Sequence, residues 1–182
     1  MGIVNVIAPI EVDVTQVNKT WFSLKKKKDY TPQYVIGFYQ RVKKYCRIQK
    51  LPDNKAVTVE EFVRENILPG ATLYCEEGIL PDALKEVYKV HELKASEGEH
   101  VRGEIHINNL KNAWKDLKRN IKREHFHVSP QHLQGYCDHV AWHINNQDLS
   151  PGERFELAIR QAAVPRVTYK ELVNRNPKKR KA

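Results

Sequence analysis

Cysteine is scarce in this chain of 182 residues, and its three copies, Cys46, Cys75 and Cys137, form no C-x-x-C pair. An odd, widely spaced set excludes a disulfide framework and a zinc ribbon built on paired thiolates. No charged-then-apolar leader opens the sequence, so a reducing, intracellular setting is expected. Long apolar runs are also missing, none approaching the roughly 20 residues that a bilayer crossing requires. Met1-Gly2 is followed by Val6 where a myristoylation signal has Ser or Thr, so myristoylation is not indicated. No repeat of 20 to 50 residues is visible, and a composition of 41% hydrophobic and 29% charged residues is that of a globular domain.

Basic residues are plentiful, 31 Lys+Arg against 22 Asp+Glu. Nine of them lie in two runs, Lys25, Lys26, Lys27 and Lys28, and Arg175 with Lys178 to Lys181; without these the two signs balance. The excess is local, on an inner loop and at the C-terminus, where it attracts polyanions without describing the fold. The C-terminal run also reads as a weak nuclear localisation signal, placing the protein in the nucleus of a eukaryotic host and otherwise in the cytoplasm.

Residues 9–18 alternate, with Ile10, Val12 and Val14 on one side and Glu11, Asp13 and Thr15 on the other, which predicts a half-buried strand. Asp13 then stands mid-strand on the polar face, where a solvated side chain is the plain expectation. YVIGFY (34–39) and KKYCRIQKL (43–51) predict a hairpin. Thr58 and Glu61 form a capping box for a helix that Pro69-Gly70 stops. TLYCEE predicts a fourth strand, parallel to the first, with Glu76 at its end and Cys75 inert on the opposite face; YKVHEL predicts a fifth, and 95–104 a polar loop.

The last third is helical. Leu110, Trp114, Leu117 and Ile121 form an apolar stripe from Asn108 to Arg123, beside a basic stripe of Lys111, Lys115, Lys118, Arg119, Lys122 and Arg123. Trp114 is read as core, with base stacking as the lesser role. Ser129-Pro130 signals a second helix with Leu133, Val140 and Ile144 inward, and Ser150 with Glu153 a capping box for a third helix to about Ala162. His139 and His143, at i,i+4, have the spacing of zinc ligands but no Glu between them, and read first as polar-face residues.

Three strands, a helix, a fourth strand and then helices, with acidic residues on strands one and four, is the order of ribonuclease-H-like nucleases and transposases. Residues 98–146 resemble the C-terminal half of the ISXO-type insertion-sequence transposases, whose eukaryotic relatives are the Merlin elements. The string G-x-x-V-x-G-x-x-H-T-N-T-I-E-G-F-W-S-L-L-K-R-G, then Y-H-H-V-S-x-K-H-L-Q-R-Y and F-x-x-N, is matched at Val101, Gly103, His106, Asn108, Trp114, Leu117, Lys118, Arg119, His127, Val128, Ser129, His132, Leu133, Gln134, Tyr136 and Asn145. FVRENILPGATLYCEE and IEVDVT extend the resemblance over residues 9–162.

The resemblance implies an α/β, ribonuclease-H-like domain over residues 1–163, with a mixed five-stranded sheet, flanking helices and a helical C-terminal part; beyond it the basic tail, 164–182, shows no hydrophobic period and is expected to be disordered at its end. It also implies carboxylates that hold two Mg²⁺ or Mn²⁺ ions roughly 3.5–4 Å apart for phosphodiester transfer. Asp13 takes the first acidic position, Glu76 stands where the second aspartate would be, and Lys111 occupies the third; Asn108, one turn earlier, is the neighbouring oxygen donor. Asp13 and Glu76 are the candidate metal ligands. The expectation is a DNA-binding, domesticated descendant with strand transfer lost or severely reduced; Lys25 to Lys28, the basic helix, His127 and His132 are its candidate DNA contacts. Two alternatives stand beside it: an active transposase or nuclease using Asp13, Glu76 and Asn108, and a protein-interaction adaptor. No small-molecule substrate and no membrane partner are expected, and a homodimer is expected by analogy.

Overall fold

A computed structural model describes residues 8–17, 32–122 and 128–162. The alternating segments form the strands expected of them. β1 (Ile10–Val17), β2 (Gln33–Gln40) and β3 (Tyr45–Leu51) run as an antiparallel meander. After helix α1 (Ala56–Asn66), the chain returns as β4 (Thr72–Glu76) on the free side of β1 and parallel to it. A four-residue helix, α2 (Asp82–Lys85), precedes β5 (Lys89–Leu93), which is parallel to β4. The result is a mixed five-stranded sheet in the order β3-β2-β1-β4-β5, with β1 and β4 near its centre.

Both faces of the sheet are covered. On one, Ile10, Val12, Ile36, Phe38 and Leu73 pack with Val59, Phe62 and Val63 of α1 and with Leu84 and Tyr88. On the other, Val35, Tyr39 and Ile48 meet Leu110, Ala113 and Leu117 of α3 (Asn108–Asn120) and Leu133, Cys137 and Val140 of α4 (Leu133–Asn145). The side of β1 expected to face water is therefore an interior surface. All three cysteines are buried and free, and burial pushes each thiol up to about 12, so none is a nucleophile near neutral pH.

Several local signals resolve differently from their sequence reading. α1 begins at Ala56, two residues before Thr58, because Asp53 organises the turn: its Oδ1 accepts from the Lys55 N–H (3.1 Å) and the Thr58 hydroxyl (2.6 Å). Thr58 is thus a donor inside the first turn and not the cap. The stretch 95–104 is partly ordered, as a 3₁₀ turn (Ala95–Glu97) and a small antiparallel pair, β6 (Val101–Arg102) and β7 (Ile105–His106), with Gly98 and Gly103 at positive φ. Ser129 precedes a 3₁₀ turn, Pro130–His132, that leads into α4, and its side chain caps nothing there.

The chain divides into two compact units, one ending at Asn145 and the other beginning at Asn146. The second contains α5 (Pro151–Ala162), opened by the expected capping box: the Ser150 N–H donates to Glu153 Oε2 (2.8 Å) and the Glu153 N–H to Ser150 Oγ (3.3 Å). Among the described residues no helix is long and apolar enough to cross a membrane.

Candidate active site

Asp13 sits mid-strand in β1, directly opposite Gly37 of β2, and is only 7% exposed. α3 crosses this face and brings Trp114 over it. The indole Nε1–H donates to Asp13 Oδ2 at 2.8 Å, and the Val14 N–H donates to Oδ1 at 2.9 Å. Gly37 makes this approach possible, since a Cβ there would stand 2.8 Å from Trp114 Cη2 and 3.0 Å from Leu110 Cδ2. A glycine inside a strand here marks close passage of a ring over bare backbone. Burial raises the Asp13 pKa from 3.8 to about 6; the Trp114 hydrogen bond opposes that rise, and the Glu76 charge reinforces it.

Glu76 closes β4, on the same side of the sheet and opposite to Cys75 of the α1 core. Lys111 reaches it from α3: Nζ lies 2.5 Å from Glu76 Oε1, both side chains being half-buried. Lys111 also acts on Asp13, whose pKa its charge lowers. Asp13, Glu76 and Lys111 therefore form one electrostatic cluster. Asn108 does not join it by any hydrogen bond among the described residues; it is exposed at the start of α3, its N–H donating to His106 Nδ1 at 3.3 Å.

A residue that sequence reasoning left on the polar face of β1 determines where α3 lies. Glu11 is fully buried, and its carboxylate caps the helix from a strand: Oε2 accepts the N–H groups of Asn109 (3.0 Å) and Leu110 (3.2 Å), while Oε1 accepts Asn109 Nδ2 (2.6 Å) and Arg41 Nε (2.9 Å). The first N–H groups of a helix lack partners within it and carry its positive end, so a carboxylate there satisfies both. Arg41 extends the tie, donating Nη1 to Glu104 O (2.6 Å) and Nη2 to His106 O (2.7 Å), with its guanidinium 4.9 Å over the Tyr74 ring. This network fixes the helix that presents Lys111 and Trp114. Its sequence signal was an acidic residue inside a strand, two positions before Asp13.

The remaining candidates divide. Lys115, Lys118 and Arg119 are exposed along α3 and Lys122 just past its end, with Arg119 Nη2 paired to Asp116 Oδ1 at 2.5 Å. His132 lies in the 3₁₀ turn before α4, its Nε2 3.1 Å from Gln131 Nε2. Lys25 to Lys28, Arg123, His127 and the basic tail lie outside the described residues.

The donor set at the cluster is two carboxylates and one ammonium. Each Asp13 oxygen already accepts an N–H, and burial shifts the group toward its neutral form. Glu76 is neutralised by Lys111, and among the described residues no group of three or more His, Cys, Asp or Glu side chains is placed to hold an ion.

Acidic side chains on two adjacent parallel strands of a mixed sheet, crossed by a basic helix, are compatible with the catalytic domain of a DDE transposase. The chain belongs to the ISXO2-like transposase domain family, whose family model matches residues 9–145. That match ends with the last residue of α4, and it includes every member of the Glu11, Asp13, Glu76 and Lys111 network. No curated protein and no solved structure matches the chain.

Proposed function

We propose that this protein is a DNA-binding descendant of a DDE transposase, on a ribonuclease-H-like core, in which strand transfer is lost or severely reduced. The Lys111–Glu76 ion pair carries the reading. An ammonium 4 Å from a divalent cation is repelled by about 8 kcal/mol at an effective dielectric of 20, before any rearrangement. The same ammonium neutralises the carboxylate that would ligate the ion. With Lys111 paired to it, Glu76 needs no metal beside it for the protein to be stable, and a fold can outlive its chemistry.

The sheet order and the crossover through α1 support the ribonuclease-H-like assignment. The exposed lysines of α3 support duplex binding through phosphates, which positions a protein on DNA without reading its sequence. Lys25 to Lys28, Arg123, His127 and His132 extend this reading.

The test uses the full chain, a labelled duplex and a supercoiled plasmid. Fluorescence anisotropy gives a Kd that weakens steeply as salt rises, and Mg²⁺ or Mn²⁺ produces no nicking. Metal-dependent nicking that disappears in Asp13→Ala overturns the loss of activity and favours a working Asp13, Glu76 and Asn108 site. Absence of duplex binding at low salt overturns the DNA reading and leaves the protein-interaction adaptor.

A further inference from the structure

His139 and His143 lie one turn apart on α4, on the face turned away from the core side chains Leu133, Cys137, Val140 and Ala141, and both are exposed. Their rings meet at 84° with centroids 4.6 Å apart, and the two Nε2 atoms are 3.1 Å from each other. Two imidazole nitrogens bound to one cation at about 2.0–2.1 Å are separated by roughly 2.9–3.4 Å for bond angles between square-planar and tetrahedral values. The observed separation falls inside that interval.

The pair is carried on an element that is firmly held. Asn145 and Gln134 join α4 to the outer edge of β3 by four hydrogen bonds: Cys46 N–H to Asn145 Oδ1, Asn145 Nδ2 to Cys46 O, Lys50 N–H to Gln134 Oε1, and Gln134 Nε2 to Ile48 O. Asp138 is occupied, its Oδ1 accepting Gln134 Nε2 at 2.7 Å. Little ordering of backbone is then required for the two rings to act together.

We propose that His139 and His143 form a two-imidazole site for a borderline transition cation, Cu²⁺, Ni²⁺ or Zn²⁺, with water completing the coordination sphere. Binding exchanges the imidazole-to-imidazole hydrogen bond for two nitrogen-to-metal bonds, the proton on the donor Nε2 moving to Nδ1 of its own ring so that both Nε2 lone pairs face the cation. Imidazole pairs favour Cu²⁺ over Zn²⁺ and discriminate strongly against Mg²⁺ and Ca²⁺, which prefer oxygen. This preference separates the site from any binding at Asp13 and Glu76.

Trp142 supplies the readout, because its ring packs edge-on against His143 with centroids 5.1 Å apart. Cu²⁺ titrated into the full chain is expected to quench tryptophan fluorescence, with recovery on chelation, and Trp142→Phe is expected to lose most of that quenching while calorimetry still detects binding. His139→Ala and His143→Ala each weaken Cu²⁺ and Ni²⁺ binding at least tenfold, roughly the loss of one of two ligands. His132→Ala leaves binding unchanged. Equal affinity in the wild type and either of the two single variants overturns the proposal, as does quenching of the same size with Mg²⁺.

Discussion

Asp13 shows how a single side chain acquires its chemistry from what covers it. Two N–H donors stabilise its anion, yet burial outweighs them, and the pKa rises from 3.8 to about 6. The sign of the consequence is fixed: a carboxyl group whose pKa is higher when folded binds its proton more tightly in the native state. Its stabilising contribution is fully present below the ordinary pKa of 3.8 and is lost as pH rises through about 6. Relative to Asp13→Asn, the wild type should lose up to about 3 kcal/mol of stability across that window and show a flat difference above it, as measured by urea midpoints at successive pH values. Gly37 belongs to the same arrangement. Gly37→Ala inserts a methyl group 2.8 Å from the Trp114 ring edge, which the bond to Asp13 holds in place, and 3.0 Å from the fully buried Leu110. The expected cost is about 1–3 kcal/mol in urea unfolding, with a shifted Trp114 emission. Neither relation was legible in the sequence, because a mid-strand Asp and a strand Gly acquire their meaning only when the tryptophan 101 positions away from Asp13 arrives between them.

At the scale of elements, the motif residues that carry the family resemblance explain one another. Gln134 and Asn145, eleven positions apart on α4, meet the outward backbone groups of the edge strand β3 at Lys50, Ile48 and Cys46. Side-chain amides here do what another strand would do, since each presents an N–H donor and a C=O acceptor to the strand, and they close an edge open to pairing with another chain. Asn145→Ala removes two hydrogen bonds and should cost about 1–3 kcal/mol. Hydrogen exchange discriminates further, because the Cys46 amide should exchange faster while the Lys50 amide, held by Gln134, keeps its protection. The strands, their order and the main helices could be read in advance, since alternation and the 3.6-residue period report local burial directly. The cover over the polar face of β1 could not. Alternation shows that two faces differ, not that one is wet, and the buried Glu11 carboxylate is polar because it caps α3 and binds Arg41. The start of α1 differs from the capping-box expectation for a related reason: Thr58 looks like a cap in isolation, but Asp53 engages its hydroxyl.

For the whole molecule, net charge is a poor guide to where a polyanion would lie. The total of +9 includes the two runs outside the described residues, whereas α3 carries its own basic face. Not every cation on that face is available. Lys111 compensates Glu76, and Arg119 is paired with Asp116. Lys115, Lys118 and Lys122 are exposed, and among the described residues none is in a salt bridge with a carboxylate. From Lys115 on α3 to Lys122 just past its end, the helical path rises about 10 Å, a span of roughly three phosphates along one strand of a duplex. If each of the three meets one phosphate, replacing all of them by alanine should reduce the slope of log Kobs against log salt by about 2.7, close to 0.9 per released counterion. Lys111→Ala should alter that slope little, because its charge is spent inside the protein on Glu76. Measuring both variants by anisotropy between 50 and 200 mM salt, roughly the range over which such contacts dominate affinity, separates the two kinds of lysine on one helix. A slope unchanged by the triple replacement would assign the DNA path to the basic runs and leave α3 as a solvated face. A large change on Lys111→Ala would mean that its ammonium leaves Glu76 for a phosphate when DNA binds.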